Sequence, residues 1–219
     1  MSLTLLFLDE LRGYAKSRVM IVLWFGLPIL SLLIYFLQPD TEGLPISFLV
    51  GLLVSSIGGT LSGIMLSTSI VSEKNRHVYE LFLIRPVRRS SLLLAKFFAV
   101  YTCLVVAIVI SLIFGLAIDE FRDGLSRLLL IETIESLIIS IASMAITCSI
   151  GIFFGVLVSS VPIAAILSVY LGSQLSSIIL LPTFFIVSLN PVILALTLGI
   201  SITSIIMTIN IYLFNRQQF

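Results

Sequence analysis

Phe97-Phe98-Ala99-Val100-Tyr101-Thr102-Cys103-Leu104-Val105-Val106-Ala107-Ile108-Val109-Ile110-Ser111-Leu112-Ile113-Phe114-Gly115-Leu116-Ala117-Ile118 runs its whole length without an Asp, Glu, Lys or Arg. A helix crosses the hydrocarbon core of a bilayer with about 20 mostly apolar residues, so this stretch is long enough to span. Its apolar residues are continuous rather than alternating, which selects a helix over the strand of a closed barrel. Five more runs have the same character: Val19–Leu37, Ile46–Val71, Ser136–Val158, Pro162–Leu181 and Val192–Phe214. The reading is an all-α integral membrane protein with six transmembrane helices.

Composition agrees. Of 219 residues, 59% are hydrophobic and 11% are Asp, Glu, Lys or Arg, against about 25% charged in soluble domains. A mean hydropathy of +1.23 excludes a soluble globular enzyme. The formal net charge of +1 leaves no basic surplus for wrapping nucleic acid. Cys103 and Cys148 lie inside apolar runs and suggest small buried hydrophobes rather than a disulfide. With one histidine and no Cys/His cluster, no metal centre is expected.

Six spans place both termini on one side, with the loops after the second and fourth spans. That side holds all of the twelve Lys and Arg residues except Arg122 and Arg127, so the termini are expected in the cytoplasm. Near the N-terminus, Leu3, Leu6, Phe7, Leu11 and Tyr14 recur at helical spacing between Asp9, Glu10, Arg12 and Lys16. Residues 1–18 therefore read as a helix lying in the membrane interface, or else as an extension of the first span, and not as a signal peptide.

Small residues recur every four positions in three spans: Gly51, Ser55, Gly59, Gly63 and Ser67; Ser143, Thr147, Gly151, Gly155 and Ser159; Ala164, Ser168, Gly172 and Ser176. This is the pattern of close helix contact in lipid. Ser55, Gly59, Gly63, Ser168, Gly172 and Ser176 are candidates for packing or for lining a pathway. Glu132 and Glu135 share a helical face before the fourth span, either in an outer interfacial turn or as a cation- or substrate-attracting mouth. Pro28 is expected to kink the first span and Pro162 to open the fifth. Pro182 and Asn190-Pro191 bracket an outer segment, a membrane-dipping cap or a plain connector.

The one extended charged region is Ser72-Glu73-Lys74-Asn75-Arg76-His77-Val78-Tyr79-Glu80-Leu81-Phe82-Leu83-Ile84-Arg85-Pro86-Val87-Arg88-Arg89. It reads as a short amphipathic helix ending before Pro86, with Glu73, Arg76 and Glu80 as surface neighbours and Val78, Leu81 and Phe82 as an apolar patch. A short amphipathic helix of this kind has the form of a docking knob. His77 sits on it as a surface residue or as a pH-sensitive contact.

This segment resembles the signature of ABC-2 type membrane permeases, E-K-x-R-G-T-x-E-L-L-x-x-x-P-V after the second span. Glu73, Lys74, Arg76, Glu80, Leu81, Pro86 and Val87 fall in register, Arg88 follows, and Leu92, Leu93 and Lys96 continue the likeness into the third span. His77 and Val78 replace the usual Gly-Thr, and Phe82 replaces a leucine. The resemblance implies that residues 1–219 form a single ABC-2 transmembrane domain. It also makes 73–96 a cytoplasmic loop carrying a coupling helix. Glu73, Lys74, Arg76, Glu80, Leu81, Phe82, Pro86 and Arg88 would then contact an ABC ATP-binding subunit, two copies of which pair with this chain and a second permease copy or related permease. By the same analogy the spans one, two and five lie nearest the dimer axis, and the complex works as an exporter in the cell membrane; the uncharged spans themselves favour an amphipathic or hydrophobic cargo.

The sequence has no G-x-x-x-x-G-K-[ST] phosphate cradle. The chain is therefore expected to be no enzyme itself and to bind no cofactor, with ATP and Mg in the partner. The alternative is an autonomous secondary transporter driven by an ion gradient, which would need intramembrane charges or broken half-helices.

Overall fold

The computed structural model describes residues 3–37, 46–76, 89–123, 127–185 and 190–216. These contain seven α-helices and no strand: α1 (Leu3–Ala15), α2 (Arg18–Leu37), α3 (Ile46–Asn75), α4 (Arg89–Asp123), α5 (Arg127–Leu157), α6 (Val161–Phe185) and α7 (Pro191–Arg216). The six apolar runs fall one each on α2 to α7. Four helices, α3, α4, α5 and α7, are long and apolar enough to cross a membrane, and α1 with α2 passes the same test as a pair bent by 65°. Large apolar side chains such as Phe25, Ile29 and Phe36 on α2 and Ile193, Ile200 and Ile205 on α7 are exposed. Outward faces of this kind suit a lipid surround. The chain is an all-helical, multi-pass membrane protein.

Several helices outrun their apolar segments. No Gly or Pro interrupts Val71–Asn75, so α3 continues through Glu73 and Lys74. The charged segment between α3 and α4 thus shrinks to residues 76–88, and the separate short helix read from Glu73 onward does not begin there. Glu132 and Glu135 ride on the first turns of α5, half-buried, because that helix starts at Arg127 and not at Ser136.

The prolines divide. Pro162 stands in the first turn of α6, behind the short turn Val158-Ser159-Ser160. Pro28 lies within an uninterrupted α2, beside a Leu27 carbonyl that accepts a hydrogen bond from the Ser111 hydroxyl of α4 at 3.2 Å. Pro182 does not end α6, which runs on to Phe185. The outer segment therefore loses Thr183–Phe185 to the helix, and its remainder, 186–189, lies outside the described residues.

The bundle is built around α5, which touches α3, α4, α6 and α7. Its closest approach is to α3, and small residues make that possible. A Cβ on Gly151 would stand 2.7 Å from the Gly63 carbonyl oxygen and 2.8 Å from Gly63 Cα. One turn further, a Cβ on Gly155 would stand 2.9 Å from Ile70 Cβ. Hydroxyls stitch the same seam, with Ser140 Oγ donating to the Gly51 carbonyl at 2.9 Å. Asn210, fully buried on α7, donates to the Ser149 carbonyl of α5 at 2.9 Å. On the other flank, Trp24 Nε1 of α2 donates to the Cys103 carbonyl of α4 at 3.2 Å.

Candidate functional site

The structure gathers charge where α1, α3 and α4 meet. Lys96, one residue before the apolar run of α4, is 2% exposed. Its Nζ lies 2.6 Å from Glu73 Oε1 on α3 and 2.9 Å from Glu10 Oε1 on α1. Tyr14 completes the arrangement: its ring lies 5.7 Å under the ammonium, and its hydroxyl donates to Ser69 Oγ at 3.1 Å. Ser69 in turn donates to Glu73 Oε1 at 3.1 Å.

Glu73 is thus turned to Lys96 and Ser69 rather than to Arg76, the helix neighbour expected from the sequence. The next two residues reach the opposite way. Lys74 Nζ donates to the Val156 carbonyl at 3.3 Å, and Asn75 Nδ2 donates to the Ser159 carbonyl at 3.2 Å. The last carbonyls of a helix lack intrahelical donors and favour a nearby cation, which is what Lys74 supplies to α5. Arg76 follows α3, exposed, its backbone N–H bonded to the Ser72 carbonyl at 3.1 Å. Of the remaining coupling candidates, Glu80, Leu81, Phe82, Pro86 and Arg88 lie outside the described residues, as does His77.

The pathway-or-packing candidates sit between helices. Gly59, Gly63 and Gly172 converge on Thr147: a Cβ on Gly59 would lie 2.8 Å from its Oγ1, and one on Gly172 3.3 Å from its Cγ2. Ser168 is buried and shares a 3.2 Å hydrogen bond with Ser67. Ser55 and Ser176 are buried, each donating to a carbonyl of its own helix, Leu52 at 2.8 Å and Ser173 at 2.9 Å. This is packing geometry. On α6, hydrophilic side chains that face outward lie between the stripe positions. Tyr170 and Gln174 are exposed and Ser173 is half-buried, all on one helical face.

The sequence reading missed Glu10, Tyr14, Ser69 and Asn75. Glu10 carried a signal: it falls four residues after Leu6 and four before Tyr14, an acid placed on the apolar stripe of α1. Ser69 and Asn75 carried none, since either residue type is ordinary near a helix end.

The chain matches no protein-family model and no curated protein.

Proposed function

We propose that the chain is the membrane-spanning permease subunit of an ATP-driven ABC transporter, of ABC-2 type and working as an exporter in the cell membrane. The observation that carries this reading is the Glu73–Lys96 pair at 2.6 Å. It joins the two residues that bracket the signature segment and fastens both to α1 through Glu10. A loop that receives force from a partner has to be anchored at its root, and this root is clamped by buried charge.

In this reading α2 to α7 are six spans and both termini are cytoplasmic. α1, bent by 65° from α2, lies in the interface with Leu5 and Leu8 exposed. Residues beyond Arg76 carry the coupling helix to two copies of an ATP-binding subunit, which supply ATP and Mg. The outward Gln174 supports a second permease copy. An amide facing lipid is costly, and contact with another protein or with a hydrated pathway relieves it.

Gentle detergent extraction of the tagged chain from native membranes, with mass spectrometry of its partners, is expected to recover a stoichiometric subunit bearing a P-loop. Recovery of an intact, folded chain alone would overturn the reading in favour of a gradient-driven carrier. Given that partner, Glu80→Ala or Leu81→Ala is expected to weaken partner binding at least about tenfold, since residues central to a docking site carry most of its energy. Membrane insertion stays normal. Undiminished partner binding and transport in both variants would remove the segment from coupling.

A further inference from the structure

α1 packs along α4, and its backbone stays clear of α3. Between α1 and α3 lies a groove of about 570 Å³, lined by Glu10, Gly13, Ser17, Met65, Ser72 and Val161 among others. That volume is within the range of small-molecule sites. Among the described residues, Lys96 is the only cation in ion-pair contact with Glu10 or Glu73. Two carboxylates share one ammonium, and the excess negative charge borders the groove at Glu10. Two hydroxyls are available there as donors. Ser17 Oγ accepts the Met20 N–H at 3.3 Å, and neither its hydroxyl nor that of Ser72 donates a hydrogen bond among the described residues. Met65 and Val161 supply apolar walls. A carboxylate for a cation, hydroxyls for anionic oxygens and an apolar wall for carbon chains together match an amphiphile with a zwitterionic head.

We propose that the groove between α1 and α3 binds the primary-ammonium headgroup of a membrane amphiphile, with phosphatidylethanolamine as its lipid form and a cationic amphiphilic cargo as the other source of the same chemistry. Its position at the cytoplasmic membrane surface rests on the permease reading; its binding chemistry does not. The ammonium sits against Glu10, and Ser17 and Ser72 face the phosphate. The space beside Gly13 is open: a Cβ there would meet nothing within 4 Å.

The test is native mass spectrometry of the full purified chain with phosphatidylethanolamine, with phosphatidylglycerol of the same acyl chains, and with dodecylamine as a competitor. Phosphatidylethanolamine is expected to be retained about tenfold better than phosphatidylglycerol, the scale of one hydrogen bond to a charged group. Glu10→Gln should erase that preference. Gly13→Phe, which fills open space and leaves the ion pairs alone, should abolish retention with an unchanged melting midpoint. Dodecylamine should displace the lipid. Equal retention of the two lipids, or full retention in a folded Gly13→Phe variant, would overturn the site, and failure of dodecylamine to compete would overturn the ammonium as the recognised group. The readout is bound lipid rather than transport, so this result and the permease reading fail separately.

Discussion

Gly151→Ala is expected to cost the bundle about 3 kcal/mol or more, beyond the 1–3 kcal/mol usual for overpacking, because the obstacle is backbone. The added methyl would stand 2.7 Å from the Gly63 carbonyl oxygen and 2.8 Å from Gly63 Cα, and no rotamer change can relieve a clash with main chain. α3 and α5 must separate along the whole seam, pulling Thr147 away from Gly59. Gly26→Ala provides the internal control. Gly26 lies on α2 with nothing within 4 Å of the new atom, so the same chemical change should leave the melting midpoint where it was. Thermal unfolding of both variants in one detergent checks this. Equal midpoints would mean that the two backbones do not cross at Gly63 and Gly151.

Lys96→Met has the second large effect. It leaves the Glu10 and Glu73 carboxylates facing one another without the ammonium that both contact. Removing one member of a buried charge pair costs about 3–5 kcal/mol, whereas replacing all members by apolar residues of similar volume is often neutral or better. Destabilisation of that size is expected in the single variant, with α1 loosened from α4. Faster hydrogen exchange over residues 4–15 would report the loosening. The triple variant Glu10→Leu, Glu73→Met, Lys96→Met should recover the midpoint while losing partner-dependent transport. Full transport in the triple variant would show that apolar contact anchors the loop equally well.

The helices were legible because each apolar run in this chain is long and carries no Asp, Glu, Lys or Arg. Burial against lipid leaves the same mark on sequence wherever it occurs. Helix ends were less legible: Glu73 and Lys74 are as good in a helix as in a charged loop, and their contacts to Lys96 and to the Val156 carbonyl, which suit a continued α3, are not visible in the sequence. The small-residue stripes revealed contact but not the partner. Gly63 and Gly151 both belong to such stripes, and nothing in either stripe says that they meet each other. The charge cluster was half legible. Glu73 and Lys96 stood out by their resemblance to the permease signature, and Glu10 could have been found as an acid on an apolar face. Their convergence depends on the bend between α1 and α2, set by a corner at Lys16-Ser17 that carries neither Gly nor Pro.

Glu73, Lys74 and Asn75 are consecutive, so they point about 100° apart around the end of α3. Glu73 grips α4 and, through Lys96, α1; Lys74 grips the last turn of α5; Asn75 grips the turn leading into α6. The tip of α3 is therefore keyed like a splined shaft. It cannot spin about its own axis without breaking at least one of the three holds. A torque on the tip of α3 would be borne at once by α4, by α1 through Lys96, by α5, and by the turn between α5 and α6.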